Sequence, residues 1–291
     1  MQFTTITSSE KGPREEQQDA AGVVSRGERL LAVVCDGAGG HRGGSSASKL
    51  AVQTTCEAFE KSRGNFDDPK AALLEICRDA HEAILALGET PKLAPKSTIA
   101  ALYLDGLKAH TVHVGDSRIY RLRTGKIIER TRDHTMVQIL LEQGEVKESE
   151  MGAHPDQGRL LRALGSNEEL RPTYGSAELA ENESFLLCSD GFWERTPQED
   201  MEKLFQGDPT QTRLDELVRR AIERNGPKGD NVTALAVFSE RAKACPVPRF
   251  LRWAFLLLLA IAALLCLFWF STHNPPPSSR HDQPTGQKLP P

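Results

Sequence analysis

A buried strand that ends in an acidic residue is the feature that most constrains this chain. The apolar run from Leu30 to Cys35 predicts such a strand, and Asp36 follows it directly. Several glycines come next, so the backbone after Asp36 can approach other groups closely. Because a carboxylate at the end of a buried strand is costly to desolvate, we expect Asp36 to face a compensating charge.

Four other aspartates stand beside predicted strands. Asp116 and Asp190 follow apolar runs, whereas Asp19 and Asp230 precede them. A single aspartate in such a place usually forms a cap or a turn. Several in one domain indicate a shared edge of the fold, where unpaired carboxylates would repel one another unless a divalent cation neutralises them.

The ligand types narrow the choice of metal. The sequence has no HxH, HExxH or CxxC spacing for a zinc site, and carboxylates with water suit Mg²⁺ or Mn²⁺. Two such ions about 3.5–4 Å apart form a hydrolytic site for phosphate esters. The glycines from 39 to 44 also have the spacing of a nucleotide-binding loop, but Ser45 occupies the lysine position, which argues against nucleotide binding.

The order of predicted elements indicates an α+β fold. Two helical segments follow the first strands, then come several short strands separated by turn residues, and a helix and a strand close the first 240 residues. This is not a strict alternation of strand and helix. We therefore expect an antiparallel β-sandwich of two sheets flanked by α-helices.

The C-terminal part has a different composition. Residues 253–270 (WAFLLLLAIAALLCLFWF) carry no charge and are long enough to span a bilayer core. A buried core helix is the alternative. Cations precede this segment, so we expect the N-terminal domain to be cytoplasmic and the tail to lie outside. The predicted parts are a domain at 1–240, a basic juxtamembrane linker at 241–252, a transmembrane helix at 253–271 and a disordered proline-rich tail at 272–291.

Charge and cysteine usage limit the compartment and the partners. The net charge is −4 and the first 240 residues have no extended Lys/Arg cluster, so nucleic-acid binding is not expected. The six cysteines form no CxxC pair, and most lie in apolar runs, which favours reduced thiols in a cytosolic domain. The N-terminus lacks the pattern of a signal peptide.

Seven motifs in order resemble the metal-dependent protein phosphatases of the protein phosphatase 2C class, most of all its compact bacterial branch. They are REEQQDA, VVCDGAGG, STIAALYL, VHVGDSRIYRL, RDHT, LLCSDG and GDNVTALAV. The resemblance covers about residues 1–240. It implies a β-sandwich of two antiparallel sheets flanked by helices, and hydrolysis of phosphoserine and phosphothreonine by metal-activated water.

The resemblance also implies a role for particular residues. Asp36 would bridge two Mn²⁺ or Mg²⁺ ions, and the Gly37 carbonyl would bind one of them. Asp190 and Asp230 would bind the other ion. Asp19 would hold waters bound at the metal pair, and Asp116 would help Asp190 to bind a third ion. Arg14 would bind the substrate phosphate, a task that its guanidinium fork suits.

Two positions, Gln18 and Ala38, depart from the family pattern. Gln18 stands where some members have glutamate, so affinity for the second metal is in question. Ala38 stands where eukaryotic members often carry a histidine proposed as proton donor, and His41 is a weak substitute. Asp133 and His134 of the RDHT motif are expected to fix a turn.

The leading hypothesis is a membrane-anchored serine/threonine phosphatase that acts on phosphoproteins, with a membrane-associated Ser/Thr kinase or its substrates as partners. A catalytically inactive scaffold is the alternative from another class, and it would predict lost metal ligands. A third reading keeps the chemistry but uses a small phosphate ester. The polar stretch from Glu145 to Arg159 is the expected specificity element.

Overall fold

The computed structural model describes residues 3–38, 43–88, 94–106, 108–207, 209–239 and 269. The chain divides into two compact units, Met1–Glu240 and Arg241–Pro291. No helix within the described ranges is both long and apolar enough to cross a membrane. The predicted linker, membrane segment and tail lie outside the described residues, apart from Trp269.

Two five-stranded antiparallel sheets form the centre of the first unit. One sheet has the strand order β1-β12-β11-β8-β9 and the other β10-β7-β6-β3-β2, and a two-stranded ladder joins β4 to β5. The predicted antiparallel sandwich is therefore confirmed. The strands are β1 Phe3–Glu10, β2 Ala20–Arg26, β3 Arg29–Cys35, β4 Gly37–Ala38, β5 Lys96–Ser97, β6 Ile99–Asp105, β7 Lys108–Val114, β8 Arg118–Arg123, β9 Lys126–Arg130, β10 Thr173–Glu178, β11 Glu183–Cys188 and β12 Val232–Ser239.

Helices cover both outer faces of the sandwich. One apolar cluster packs the first two helices on β3, β6 and β7, a second packs the later helices on β8, β11 and β12, and a third fills the space between the sheets. Burial of these three interfaces is the main favourable contribution to folding. The α-helices are α1 Gly43–Lys61, α2 Pro69–Leu87, α3 Met136–Glu142, α4 Asp190–Trp193, α5 Gln198–Phe205 and α6 Gln211–Asn225.

Local sequence signals set the start of several helices. Asp68 precedes α2, and its side chain accepts a hydrogen bond from the Ala71 amide, while Pro69 occupies the first turn. Thr135 caps α3 and Thr210 caps α6 in the same way. These caps satisfy amides that have no partner within the helix.

The segment between residues 170 and 207 differs most from the sequence prediction. Strand β10 and helices α4 and α5 were not predicted there. Each is short, and α4 has a single turn, so apolar periodicity has too few residues to show. Asp190, expected at the end of a strand, is the first residue of α4. The cysteines within the described ranges are free thiols, and three of these four are buried.

Candidate metal centre

The main chain of Asp36 is fixed by the neighbouring strand. Its amide donates to Thr98 Oγ1 at 2.9 Å, and its carbonyl accepts from the Thr98 amide at 2.8 Å. Thr98 Oγ1 in turn lies 2.6 Å from Ser117 Oγ. Asp36 thus leaves β3 in one defined direction, and its side chain remains partly exposed at the end of the sandwich.

Gly37 occupies a place that has no room for a side chain. A Cβ atom there would lie 2.1 Å from the Gly44 carbonyl oxygen and 2.8 Å from that of Gln18. The Gly37 amide also donates to the Gln18 carbonyl at 3.1 Å. The glycine-rich sequence predicted such a close backbone approach. At Gly37, the segment after β3 contacts both the start of α1 and the loop that precedes Asp19.

Asp19 is buried next to Ser189. Ser189 Oγ donates to Asp19 Oδ2 at 2.7 Å, whereas Asp19 Oδ1 is buried without a hydrogen-bond partner. Burial raises the pKa of Asp19 to about 7, and hydrogen bonds from Ser189 and Thr233 oppose that rise. A buried carboxyl with one unpaired oxygen is poised to accept a cation.

Asp190 is close enough to Asp36 for its charge to raise the pKa of Asp36, and Asp190 Oδ1 is buried with no hydrogen-bond partner. Burial and then the charge of Asp230 raise the pKa of Asp190 to about 6. Burial and then the charges of Asp19 and Asp190 raise the pKa of Asp36 well above its usual range.

Asp230 is held by Arg14 and by the backbone. Arg14 Nη2 donates to Asp230 Oδ2 at 2.8 Å, and Arg14 Nε donates to the Gly229 carbonyl at 3.1 Å. The Asn231 amide donates to Asp230 Oδ1 at 2.8 Å. The structure thus places Arg14 at the edge of the aspartate group, in direct contact with one of the predicted metal ligands.

Asn231 is a site-building residue that the sequence analysis missed. Its side chain is buried, accepts from the Gln18 amide, and donates to the carbonyls of Lys11 and Glu16. It therefore holds the loop that carries Arg14 and Asp19 against the start of β12. The GDN sequence was the available signal, because asparagine often bonds nearby backbone in turns.

Asp116 is buried close to Asp190. Its burial and then the charge of Asp190 raise its pKa well above the usual range. Trp193 Nε1 of α4 donates to the Asp116 carbonyl at 3.0 Å. The turn that carries Asp116 and the helix that carries Asp190 are therefore tied together.

The RDHT motif supports this turn through a buried ion pair. Arg118 Nη2 lies 2.6 Å from Asp133 Oδ2, and the guanidinium stacks 3.4 Å above the Trp193 ring. His134 Nδ1 accepts a hydrogen bond from the Gly115 amide at 3.2 Å. These contacts fit the expected turn-fixing role of Asp133 and His134, but the partner Arg118 was not predicted.

The predicted site residues gather at one end of the sandwich. After burial, the charges of Asp190 and Asp230 raise the pKa of Asp19, and the charge of Asp230 raises that of Asp190. The pKa of Asp36 is raised by burial and then by the charges of Asp19, Asp190, Asp116 and Asp230. Within the described part of the chain, no group of three or more His, Cys, Asp or Glu side chains is arranged to hold a metal ion. His41, the weak proton-donor candidate, lies outside the described residues.

The donor chemistry nevertheless fits a hard divalent cation. The available groups are carboxylate oxygens, two of them buried and without a partner, on Asp19 and Asp190. Mutual repulsion in a poorly solvated setting is relieved by bound positive charge. Mg²⁺ and Mn²⁺ are the ions that such oxygen ligands suit.

Comparisons with known proteins agree with this assignment. A family model described as protein phosphatase 2C matches residues 13–235. The chain is 34% identical over 214 residues to the serine/threonine protein phosphatase PstP of Mycobacterium tuberculosis. The matched region is 73% of this chain and 40% of PstP, so the chain spans well under half the length of that relative. It is 27% identical over 230 residues to the serine/threonine phosphatase stp of Listeria innocua, covering 77% of this chain and 90% of stp.

A solved structure extends the similarity to the fold. The crystal structure of the catalytic domain of PstP in complex with two manganese ions matches with a TM-score of 0.70 and 30% sequence identity. The match covers 81% of this chain and 97% of that domain.

Proposed function

The chain belongs to the protein phosphatase 2C family of metal-dependent serine/threonine phosphatases, and from that premise we propose that it hydrolyses phosphoserine and phosphothreonine in proteins. The observation that carries the proposal is the group of aspartates whose charges act on Asp36, with the Arg14 guanidinium bound to one of them, Asp230. A manganese-bound relative of the same fold supports the choice of cofactor.

Five side chains and one carbonyl would hold the ions. They are the carboxylates of Asp19, Asp36, Asp116, Asp190 and Asp230 and the main-chain carbonyl of Gly37. When bound, Mn²⁺ or Mg²⁺ supplies the Lewis-acid charge that activates water for attack on a phosphate ester.

Arg14 would bind and orient the substrate phosphate. A guanidinium presents paired N–H donors that match two phosphate oxygens. Its contact with Asp230 directs it toward the aspartate group, and its second bond to the Gly229 carbonyl fixes the side chain at its Nε end. A phosphate held there would lie beside the ions rather than in bulk solvent, which provides orientation.

The decisive experiment measures phosphate release from a phosphothreonine peptide with the whole chain. We expect turnover with Mn²⁺, loss of turnover with EDTA, and a loss of at least about a hundredfold in Asp190→Asn, because one charged ligand disappears. Asp215→Asn on the exposed side of α6 is the matched control and should retain activity. A folded chain that binds Mn²⁺ without turnover would favour the scaffold alternative, and a chain that hydrolyses only small phosphate esters would exclude a protein substrate.

We further propose that residues 253–270 anchor the chain in a membrane. The support is the uncharged 18-residue sequence, the tryptophans at 253 and 269 and the cations before it. The catalytic domain would then be cytoplasmic and the proline-rich tail outside. Confinement to the membrane raises the effective concentration of the enzyme near membrane-bound phosphoproteins, with a Ser/Thr kinase or its substrates as the natural partners.

Cell fractionation tests the anchor directly. The full chain should sediment with membranes and resist alkaline carbonate, whereas a chain that stops at Glu240 should not. Added protease should remove the tail from intact spheroplasts and leave the domain intact. A full chain that carbonate extracts would refute the anchor without affecting the proposed chemistry.

A further inference from the structure

A cavity of about 600 Å³ lies at the C-terminal end of α4. One wall is the 3₁₀ helix Glu148–Ala153, and the other is the segment from Trp193 to Met201. The two walls touch where Gly152 packs on Glu194, since a Cβ on Gly152 would lie 3.0 Å from the Glu194 Cα atom. The Glu145–Arg159 stretch is thus one side of a defined cavity.

Helix α4 links the wall of the cavity to the predicted metal centre, since Asp190 begins this helix and Trp193 ends it. The Glu194 amide donates to the Asp190 carbonyl at 2.9 Å, which places Glu194 one helical turn after Asp190. A group bound at Glu194 would therefore lie about one helical turn from Asp190.

Most charged groups in the cavity wall are already paired within the protein. Arg118 is neutralised by Asp133, and Glu148 pairs with Arg130. Arg195 Nε donates to Asn225 Oδ1 at 2.9 Å, and its Nη2 lies 3.9 Å from Glu194. At that distance the pair with Glu194 is too long for a hydrogen bond.

Two oxygen groups in the cavity wall are suited to a ligand, the Thr196 hydroxyl and the Glu194 carboxylate. Thr196 Oγ1 has no hydrogen-bond partner although Thr196 is only 3% exposed. The Glu194 side chain is 15% exposed and carries the second acceptor group. A buried hydroxyl without a partner is rare and needs an explanation, and a donor supplied by a ligand provides one.

Part of the cavity wall is apolar. Trp193 and Met201 are buried, and Pro197 lies at the rim. An aliphatic stem that ends in a cation matches an apolar wall with acceptors at its end, as Lys and Arg side chains do.

We propose that this cavity binds a lysine or arginine side chain of the phosphoprotein substrate, located near the phosphorylated residue, through Glu194 and Thr196. The proposal rests on the proposed phosphatase function and adds a preference for basic flanking sequence. Glu194 and Thr196 act as specificity-determining residues, while the aspartates and Arg14 serve the phosphate.

Peptide substrates test the preference. A phosphothreonine peptide of alanines receives one arginine at each position from −3 to +3, and kcat/KM is measured with Mn²⁺. At one position or more we expect arginine to raise kcat/KM about tenfold over the alanine peptide, since Glu194 gives up its proton to form a partly buried ion pair with the arginine. Glu194→Gln should abolish the advantage of the arginine peptide over the alanine peptide in kcat/KM, and Thr196→Val should reduce that advantage about threefold. The matched control Glu199→Gln, on the exposed start of α5, should keep it.

Charge reversal and binding keep the outcomes separable. In Glu194→Lys the preferred position should favour glutamate over arginine. If no peptide is hydrolysed, the proposed phosphatase activity is wrong. The Kd values of fluorescent arginine and alanine phosphopeptides, measured by anisotropy, then still show whether the cavity binds the arginine side chain. An arginine advantage that is absent at every position, or that survives in Glu194→Gln, would overturn the inference.

Discussion

At the scale of single residues, the site depends on the contact between Gly37 and Gly44. The carbonyl of Gly37, which would bind a metal ion, passes so close to Gly44 that either Cβ would overlap backbone atoms. Backbone cannot move aside as the end of a flexible side chain can. The two glycines therefore set how tightly the segment after Asp36 folds over the start of α1.

Gly37→Ala should consequently destabilise the domain by about 2–4 kcal/mol, because the backbone of the segment must shift to make room for a methyl group. Urea unfolding measures this change, and Mn²⁺ affinity should fall in the same variant. Gly158→Ala is the control, since a Cβ at Gly158 would meet nothing within 4 Å. Equal unfolding midpoints for the two variants would show that the close approach has no energetic role.

At the scale of elements, the buried pair of Arg118 and Asp133 joins three parts of the fold. Arg118 begins β8, Asp133 lies in the loop before α3, and the Trp193 ring that stacks on Arg118 belongs to α4. Trp193 also binds the carbonyl of Asp116. This network orients the turn of Asp116 relative to the helix of Asp190.

Removing one partner of this pair should cost more than removing a surface pair. Asp133→Asn leaves the Arg118 charge buried without its counter-ion, and we expect a loss of about 3–5 kcal/mol in the free energy of unfolding. Glu169→Gln breaks the exposed pair with Arg171 and should cost less than about 1 kcal/mol. Chemical denaturation of both variants measures the difference. A small loss in Asp133→Asn would mean that water or another group compensates Arg118.

The sequence predicted the elements whose own residues carry the signal. Strands β3 and β11 are apolar runs, and α2 has a cap, a proline and a repeating apolar face, so local patterns were sufficient. The aspartates could be found because each stands beside such a strand. Short elements such as α4, and partners that are distant in sequence such as Asn231 and Gln18, depend on tertiary contacts that no local pattern encodes.

At the scale of the whole molecule, the aspartate group makes stability depend on pH. In the folded domain the pKa of Asp19 is raised to about 7 and that of Glu194 to about 8, chiefly by burial. Between the ordinary and the raised pKa the folded state holds protons that the unfolded chain has lost. Its stability is therefore greatest at lower pH in that interval and falls as pH rises through the raised pKa.

Two histidines act in the opposite direction at lower pH. Burial lowers the pKa of His113, and burial and then the charge of His113 lower that of His134 to about 3. Below the ordinary value of 6.5 the unfolded chain binds protons there that the folded domain does not, so acid destabilises the fold. Above pH 6.5 this contribution is nearly constant, and below pH 8 the thiols, with an ordinary pKa of 9.0, are still protonated.

The interval from pH 6.5 to 8 therefore isolates the carboxyl groups. With EDTA present, we expect the free energy of unfolding to fall by at least about 2 kcal/mol across it, because the folded domain holds protons on Asp19, Glu194, Asp36 and Asp116 that the unfolded chain has lost. With saturating Mn²⁺ the direction should reverse, because cations bind the ionised carboxylates and proton competition weakens as pH rises. Urea titrations at several pH values measure both slopes of unfolding free energy against pH.

Asp19→Asn should flatten the slope measured with EDTA, whereas the exposed control Asp215→Asn should not. A slope that is the same with EDTA and with Mn²⁺ would mean that the buried carboxyl groups do not bind the cation, and the metal centre would have to lie elsewhere.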